Sequence, residues 1–407
     1  MTTQTAAARP LAIHLVAGET SGDLLGAALM RALRRVCAEA RFTGVGGRAM
    51  AEQGLASPFA IEELSIIGIG GIPRALPRIL RRIRETADAV IAARPDALVI
   101  VDSPDFTHRV ARRVRAAAPE IPIIDYVSPT VWAWRPWRAR AMRAYIDEVM
   151  AVLPFEPAVH ARLGGPPCTY VGHPLAESLG ALRPSPAEAQ RRLSDPPVVL
   201  VLPGSRTSEV RRLGATFGAA LGLVAGQAGR LDLVLPTLPH IATLVSDATA
   251  SWPVRPRIVL DADEKHEAFR TARAALAASG TVTLELALAQ VPMAAAYRVP
   301  VLEEVVFRYM AHINTANLAN LVLGENVVPE YLQRDCTPER IAAGLIPLLA
   351  DTPQRRRQIE AFGRLDAIMG LGAAAPSERA AERVLAVIAS RREDATGRGL
   401  PSMPCSC

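Results

Sequence analysis

Lysine is almost absent from this chain: Lys265 is the only one among 407 residues, and every other basic side chain apart from histidine is arginine. A Walker-type phosphate loop, which needs a lysine behind its glycines, is thereby excluded. Lys265 stands among Asp261, Asp263, Glu264 and Glu267 as a solvated charge would, which makes it a poor Schiff-base residue. Aromatic residues are scarce at 4% and there is no basic tail, so the net charge of +6 points to an anionic membrane surface and not to nucleic acid. The five cysteines, Cys37, Cys168, Cys336, Cys405 and Cys407, are scattered, and no two pairs share a metal-site spacing. Long hydrophobic runs are also lacking. Stretches such as Ala97–Val101 and Val198–Leu202 fall far short of the roughly 20 residues that span a bilayer. Near the start, Leu11–Ala17 carries His14 and runs into Gly18-Glu-Thr-Ser-Gly-Asp23 with no small-residue cleavage site, so it reads as a first strand of a cytoplasmic protein.

What is present is a long series of short apolar runs. With 50% apolar and 21% charged residues, the chain is long enough for two domains with large cores. Near its midpoint, Val198–Leu202 reads as a buried parallel strand followed at once by Pro203-Gly204, with Ser205 as N-cap of a helix through Glu209. The N–H groups after Gly204 would form an anion site, and Arg206 adds a guanidinium able to grip a diphosphate. An ordinary strand-to-helix connection with a surface arginine has the same pattern. The βα alternation starts at Leu11–Val16, whose following loop carries Gly18, Glu19, Ser21, Gly22 and Asp23 at the sheet edge where ligands bind, with Ser21 or Asp23 as helix cap. A loose dinucleotide fingerprint at Gly44–Ala49 sits on the second strand of the sheet, and its helix must stop by Gly54. Further strands are expected at Ala97–Val101, Ile121–Val127, Leu231–Leu235, Arg257–Leu260, Ala274–Ala277 and Val291–Arg298. Pro184–Pro197 reads as the interdomain linker, Glu303–Leu323 as helical, and Val327–Gln333 and Thr337–Ile341 as openings of the closing helices.

Several positions carry chemistry. Asp102 ends the strand Ala97–Val101, where a carboxylate can serve as general base or shape the loop beside Pro104, and Asp105 follows three residues on. Ser128–Trp137 holds three of the four tryptophans, which suits a sugar-stacking wall or core packing. His173 follows a further strand and reads as structural. Ser279, Gly280 and Thr281 open a second helix fit for a phosphate or ribose, with Ser279 or Thr281 as its cap. Glu285, one turn in, can accept from ribose hydroxyls or interact with the helix dipole. Beside the apolar, glycine-rich stretch Ile66–Ile72, Leu76, Ile79, Leu80 and Ile83 recur at helical spacing among Arg74, Arg78, Arg81, Arg82 and Arg84. That pattern is either a basic amphipathic helix on an anionic bilayer or a core-facing helix with solvated arginines. Two α/β domains with the clearer phosphate signals in the second suggest a nucleotide-sugar enzyme.

With these pieces in place, the chain resembles the lipid-A-disaccharide synthases, glycosyltransferases of GT-B architecture in which two Rossmann-like α/β domains face each other across a cleft. The resemblance rests on Val16–Asp23, Asp102–Phe106, Tyr126–Trp134, Leu153–Glu156, Gly172–Pro174, Leu202–Arg206 with Glu209, Ala278–Thr281 with Glu285, Asn320-Leu321 and Pro329–Gln333, in family order. It implies an acceptor- and membrane-facing domain over residues 1–184 and a UDP-sugar-binding domain over 185–364. A C-terminal helix at about 365–392 would pack back on the first domain, and 393–407 would be a disordered tail. The implied reaction is an inverting transfer of 2,3-diacylglucosamine from UDP to 2,3-diacylglucosamine 1-phosphate (lipid X), giving the β-1,6-linked disaccharide 1-phosphate and UDP. Asp102 would be the base. Gly204, Ser205, Arg206, Glu209, Ser279, Gly280, Thr281, Glu285, Asn320 and Gln333 would hold the UDP-sugar, and Gly18, Glu19, Ser21, Gly22, Asp23, Asp105, Ser128 and Trp132 would line the acceptor side. No metal or other cofactor is implied, the UDP-sugar being a substrate. Because both lipid substrates are acylated, Ile66, Ile67, Ile69, Ile72, Leu76, Arg78, Arg81 and Arg82 become a peripheral dock on the anionic inner membrane, although Gly71 stands where the family often has a glutamate. The family also implies a homodimer that exchanges C-terminal parts. A UDP-N-acetylglucosamine 2-epimerase would share the fold and the UDP signals without the dock.

Overall fold

The structure is a computed structural model and describes residues 10–64, 72–300 and 315–397. Its strands form two parallel six-stranded sheets. The first contains β1 (Ala12–Ala17), β2 (Arg41–Val45), β3 (Ala97–Val101), β4 (Ile123–Tyr126), β5 (Glu148–Ala151) and β6 (Cys168–Tyr170), in the order β2-β1-β3-β4-β5-β6. The second contains β7 (Val198–Leu202), β8 (Asp232–Pro236), β9 (Arg257–Val259), β10 (Ala274–Ala278), β11 (Met293–Tyr297) and β12 (Glu330–Leu332), in the order β12-β11-β10-β7-β8-β9. The chain divides into two compact units, one running to Pro174 and taking in the chain from Ala374 onward, the other spanning Leu175–Ala373.

Strands β3 and β7 are buried at every residue, because each is paired on both edges and covered on both faces, and that leaves no polar position to alternate with. Strand β10 reads Ala-Ala-Leu-Ala-Ala, a composition with little strand preference of its own. Ladders to β7 and β11 hold it in place. In each sheet the first strand sits inside the order: β1 lies between β2 and β3, and β7 between β10 and β8. The loops leaving β1 and β3, and those leaving β7 and β10, therefore part to opposite faces and open a crevice at the carboxyl ends.

Several expectations are corrected. Pro184–Pro197 is not a linker: its helix Pro186–Arg192 has a Ser185–Glu188 capping box and belongs to the second unit. Its Arg192 is buried and donates to the carbonyls of Phe269, Arg270, Ala289 and Gln290. Val327–Gln333 opens no helix but leads into β12, which pairs with β11. Strand β5 escaped notice because Glu148 breaks its apolar run. That buried carboxylate pairs with Arg383 at 2.6 Å on the helix Pro376–Gly397. The same helix packs on α1 (Thr20–Val36), with Arg35 2.9 Å from Glu378. Of the expected helix Glu303–Leu323, the described part is Leu318–Leu323, and residues 301–314 lie outside the described residues. Cys405 and Cys407 do as well.

Helix α3 (Ile72–Ala93) has a core face and an exposed face. Ile83, Ala87 and Val90 face the core, whereas Leu76 and Leu80 are 44% and 38% exposed beside Arg78 and Arg81. Arg82 is not a free surface charge, because Glu63 and Glu85 hold it at 2.7 and 2.8 Å over the Phe59 ring. Ile66, Ile67 and Ile69 lie outside the described residues, as does the side chain of Ile72. No described helix is long and apolar enough to cross a membrane.

Candidate functional site

The loops after β1 and β3 meet because two glycines let them. A Cβ on Gly18 would stand 2.8 Å from the Cβ of Ser103, and one on Gly22 2.9 Å from the Val101 carbonyl oxygen. At the end of β3, Asp102 and Ser103 both adopt left-handed backbone, with φ of +53° and +48°. Such conformations cost non-glycine residues on the order of 1–3 kcal/mol and persist only where the surroundings impose them. Here the Ser103 N–H donates to Asp102 Oδ1 at 2.8 Å, and the Thr107 hydroxyl donates to the Asp102 carbonyl at 2.7 Å. The second carboxylate oxygen, Oδ2, accepts from Ser21 Oγ at 3.0 Å. The half-buried carboxylate is thus aimed by its own backbone at the first switch point, with a neutral hydroxyl as partner. A carboxylate held in this way can take a proton from a hydroxyl.

Other residues expected beside it have different duties. Asp23 is buried and accepts from the N–H groups of Gly47, Ala49 and Met50 at 2.8, 2.8 and 3.0 Å, capping α2 (Arg48–Glu52). These bonds occupy both Asp23 carboxylate oxygens and fill the loop of the loose dinucleotide fingerprint. Helix α1 is entered through Glu19, not Ser21 or Asp23; Glu19 and Ser21 are exposed. Asp105 is exposed and paired with Arg138 at 3.1 Å. Ser128 is buried, with its hydroxyl 2.8 Å from His160 Nε2. Trp132 is half-buried, edge-on to Phe155, and donates through Nε1 to Glu156 Oε1 at 3.3 Å. Glu156, buried under that loop, also accepts from the Leu153 N–H at 3.0 Å, and burial pushes its carboxyl up to about 7. His160 and Glu156 therefore anchor the tryptophan loop from below. Sequence reading passed over both, although Glu156 lies inside a quoted motif. Burial also pulls His173 down to about 4, so this imidazole is neutral and structural.

In the second unit a cavity of about 500 Å³ opens at the carboxyl ends of β7 to β11. That volume is within the range of small-molecule sites. Gly204, Ser205, Arg206, Glu209, Ser279, Gly280, Thr281 and Glu285 all line it, so eight of the ten residues expected to hold the UDP-sugar come together. One part of the expected chemistry is reversed. The helix after β7 starts at Thr207 with Arg206 as N-cap, and the N–H groups of Ser205 and Arg206 already donate to Glu209 Oε2, at 3.0 and 3.2 Å. A protein carboxylate thus occupies the place of the expected anion. Glu209 Oε1 also receives the Tyr297 hydroxyl and the Arg206 guanidinium, each at 3.2 Å. The Arg206 side chain remains 75% exposed, with its other donors free for a ligand.

The open helix N-terminus is the other one. Helix Thr281–Leu288 is entered through Gly280 with no side-chain cap, since the Ser279 hydroxyl donates instead to Glu330 Oε1 at 3.3 Å. Its first N–H groups and dipole favour an anion. Leu238 and Leu260, 44% and 52% exposed, form an apolar rim at the far side of the cavity. Lys265 lies at this cavity and not in open solvent, with its Nζ 2.7 Å from Glu285 Oε1. Asn320 and Gln333 do not line the cavity. Asn320 is buried and spends its amide on the backbone of Val327 and Val328 and on Thr315, while Gln333 brackets the N–H and carbonyl of Val299 just after β11. Both hold the backbone around β11 and β12.

The family model of lipid-A-disaccharide synthetase matches residues 13–383. A lipid-A-disaccharide synthase of Rhodopseudomonas palustris is 59% identical over 377 residues, 92% of this chain and 96% of that protein. Among solved structures, UDP-GlcNAc 2-epimerase from Neisseria meningitidis bound to UDP-GlcNAc superposes with a TM-score of 0.62 at 13% identity, covering 92% of this chain and 100% of that one. MurG of Acinetobacter baumannii gives 0.54 at 15% identity, covering 94% and 100%. At such identities these two show a shared fold, the GT-B architecture, and nothing of the reaction.

Proposed function

The chain belongs to the lipid-A-disaccharide synthetase family, and on that premise we propose how its residues divide the work. It is a hexosyltransferase of lipid A biosynthesis that joins UDP-2,3-diacylglucosamine and lipid X into the disaccharide 1-phosphate, releasing UDP. The epimerase alternative rests on a likeness of fold alone.

In the proposed mechanism the donor lies in the cavity of the second unit. Its base rests against Leu238 and Leu260, its ribose hydroxyls donate to Glu285, and its diphosphate meets Arg206 and the N–H groups opening helix Thr281–Leu288. The acceptor's 6-hydroxyl attacks the anomeric carbon in line, its proton passes to Asp102, and the bond from that carbon to the phosphate oxygen breaks with inversion. Arginine and the helix N-terminus neutralise the departing diphosphate, so the reaction proceeds without a metal. Glu209, Asn320 and Gln333 hold the frame and do not touch the nucleotide. The observation that carries this division is the uncapped helix N-terminus sharing one cavity with an exposed arginine and Glu285. Arg206→Ala is expected to weaken UDP binding at least ~10-fold by titration calorimetry, the worth of a charge-assisted pair. Unchanged affinity would take the diphosphate away from this edge.

The first unit is proposed to meet the acyl chains, docking peripherally on the cytoplasmic face of the inner membrane through the segment up to Ile72 and the exposed Leu76, Leu80, Arg78 and Arg81. Replacing Leu76 and Leu80 with serine should cut co-sedimentation with phosphatidylglycerol vesicles several-fold; undiminished binding would remove α3 from the dock. A homodimer exchanging helix Pro376–Gly397 would reuse the α1 surface on which that helix packs.

A further inference from the structure

We infer that Lys265 is a positioning residue for the donor nucleotide, holding Glu285 so that one carboxylate oxygen stays free for the ribose diol; this rests on the reading that the cavity takes UDP. Three observations carry it. Lys265 Nζ lies 2.7 Å from Glu285 Oε1, and among the described residues no protein donor bonds Oε2. Both residues line the cavity, and the Glu285 side chain is only 15% exposed. The lysine stem is steadied one turn along its helix, where Nζ sits 5.3 Å from the Phe269 ring centroid.

The choice of residue follows from the geometry. Arginine supplies the rest of the positive charge outside histidine, yet a guanidinium at position 265 would grip both carboxylate oxygens with its fork. An ammonium is a point charge that can bond one oxygen, keep the carboxylate ionised, and leave the other as an acceptor. Two vicinal hydroxyls need such an acceptor, and a carboxylate swinging free in the cavity would have to be ordered at each binding event.

The test is titration calorimetry of the full-length protein with UDP and with 2′,3′-dideoxy-UDP, on the parent, Lys265→Met and Lys265→Arg. The inference predicts that UDP binding weakens about tenfold in Lys265→Met and is not restored in Lys265→Arg, while the dideoxy nucleotide binds all three alike. Equal UDP affinity in parent and Lys265→Met overturns it, as does an equal loss for both nucleotides, which marks a structural ion pair. If the parent binds no UDP, the reading of the cavity fails first. Should Lys265→Met not fold, the parent itself supplies the answer. Lys265 is the only ε-amine in the chain, so acetylation by an N-hydroxysuccinimide ester, followed by mass analysis of the peptide that carries it and not of the α-amine, reports its exposure directly. UDP should slow that labelling several-fold and dideoxy-UDP should not; identical protection by both overturns the inference.

Discussion

Asp102→Ala protein is expected to bind UDP with the parent's affinity and to form disaccharide at least ~100-fold more slowly, the usual worth of a general base. The separation of the two readouts follows from where the residue sits. Asp102 follows β3 in the first unit, whereas the cavity proposed for the nucleotide is lined wholly by residues of the second. The carboxylate accepts two hydrogen bonds, from the Ser103 N–H and from the Ser21 hydroxyl. Losing them costs the loop some support, so Asp102→Asn serves as the companion variant: it keeps an acceptor for Ser103 and cannot take a proton. Both variants slow, with UDP affinity and melting temperature near the parent's, is the expected pattern. Transfer at the parent's rate in Asp102→Asn would remove the base from the mechanism.

Gly204→Ala is expected to be among the most damaging single methyl groups in the second unit. Gly204 has φ of +114°, outside the range of residues with a Cβ, and that Cβ would fall 2.2 Å from Glu209 Oε2. Glu209 must then move, and with it go the bonds from the Ser205 and Arg206 N–H groups, the Tyr297 hydroxyl and the Arg206 guanidinium. Strain of about 1–2 kcal/mol and the loss of charge-assisted bonds at roughly 1.5 kcal/mol or more each put the cost at about 4 kcal/mol or more. Urea denaturation should register that loss, and UDP affinity should fall more than ~30-fold because Arg206 loses its partner and its cap geometry together. A stable Gly204→Ala protein with normal affinity would mean that Glu209 does not hold this turn.

Much of this architecture could be read in advance for one physical reason. Parallel strands covered on both faces, such as Ala97–Val101 and Val198–Leu202, leave unbroken apolar runs, and the turns behind them must carry glycine where a neighbouring side chain or backbone approaches closely, as at Gly18, Gly22 and Gly204. What escaped was the pairing of polar groups across distance. Asp23 finds its partners at Gly47, Ala49 and Met50, Lys265 finds Glu285, and Glu148 finds Arg383. Nothing local in those residues names the partner that each one finds. Glu209 is the instructive case. The N–H groups after Gly204, together with Arg206, read as an anion site, and the anion already there is the Glu209 carboxylate. The helix N-terminus at Gly280, expected as a second such site, lacks its expected caps, Ser279 and Thr281.

The most direct measurement is a transfer assay with purified protein in detergent, supplied with lipid X and UDP-2,3-diacylglucosamine in the presence of EDTA and without divalent metal. The account predicts disaccharide 1-phosphate and UDP in equal amounts. Conversion of UDP-GlcNAc alone with no disaccharide, or a strict need for added metal, would contradict it.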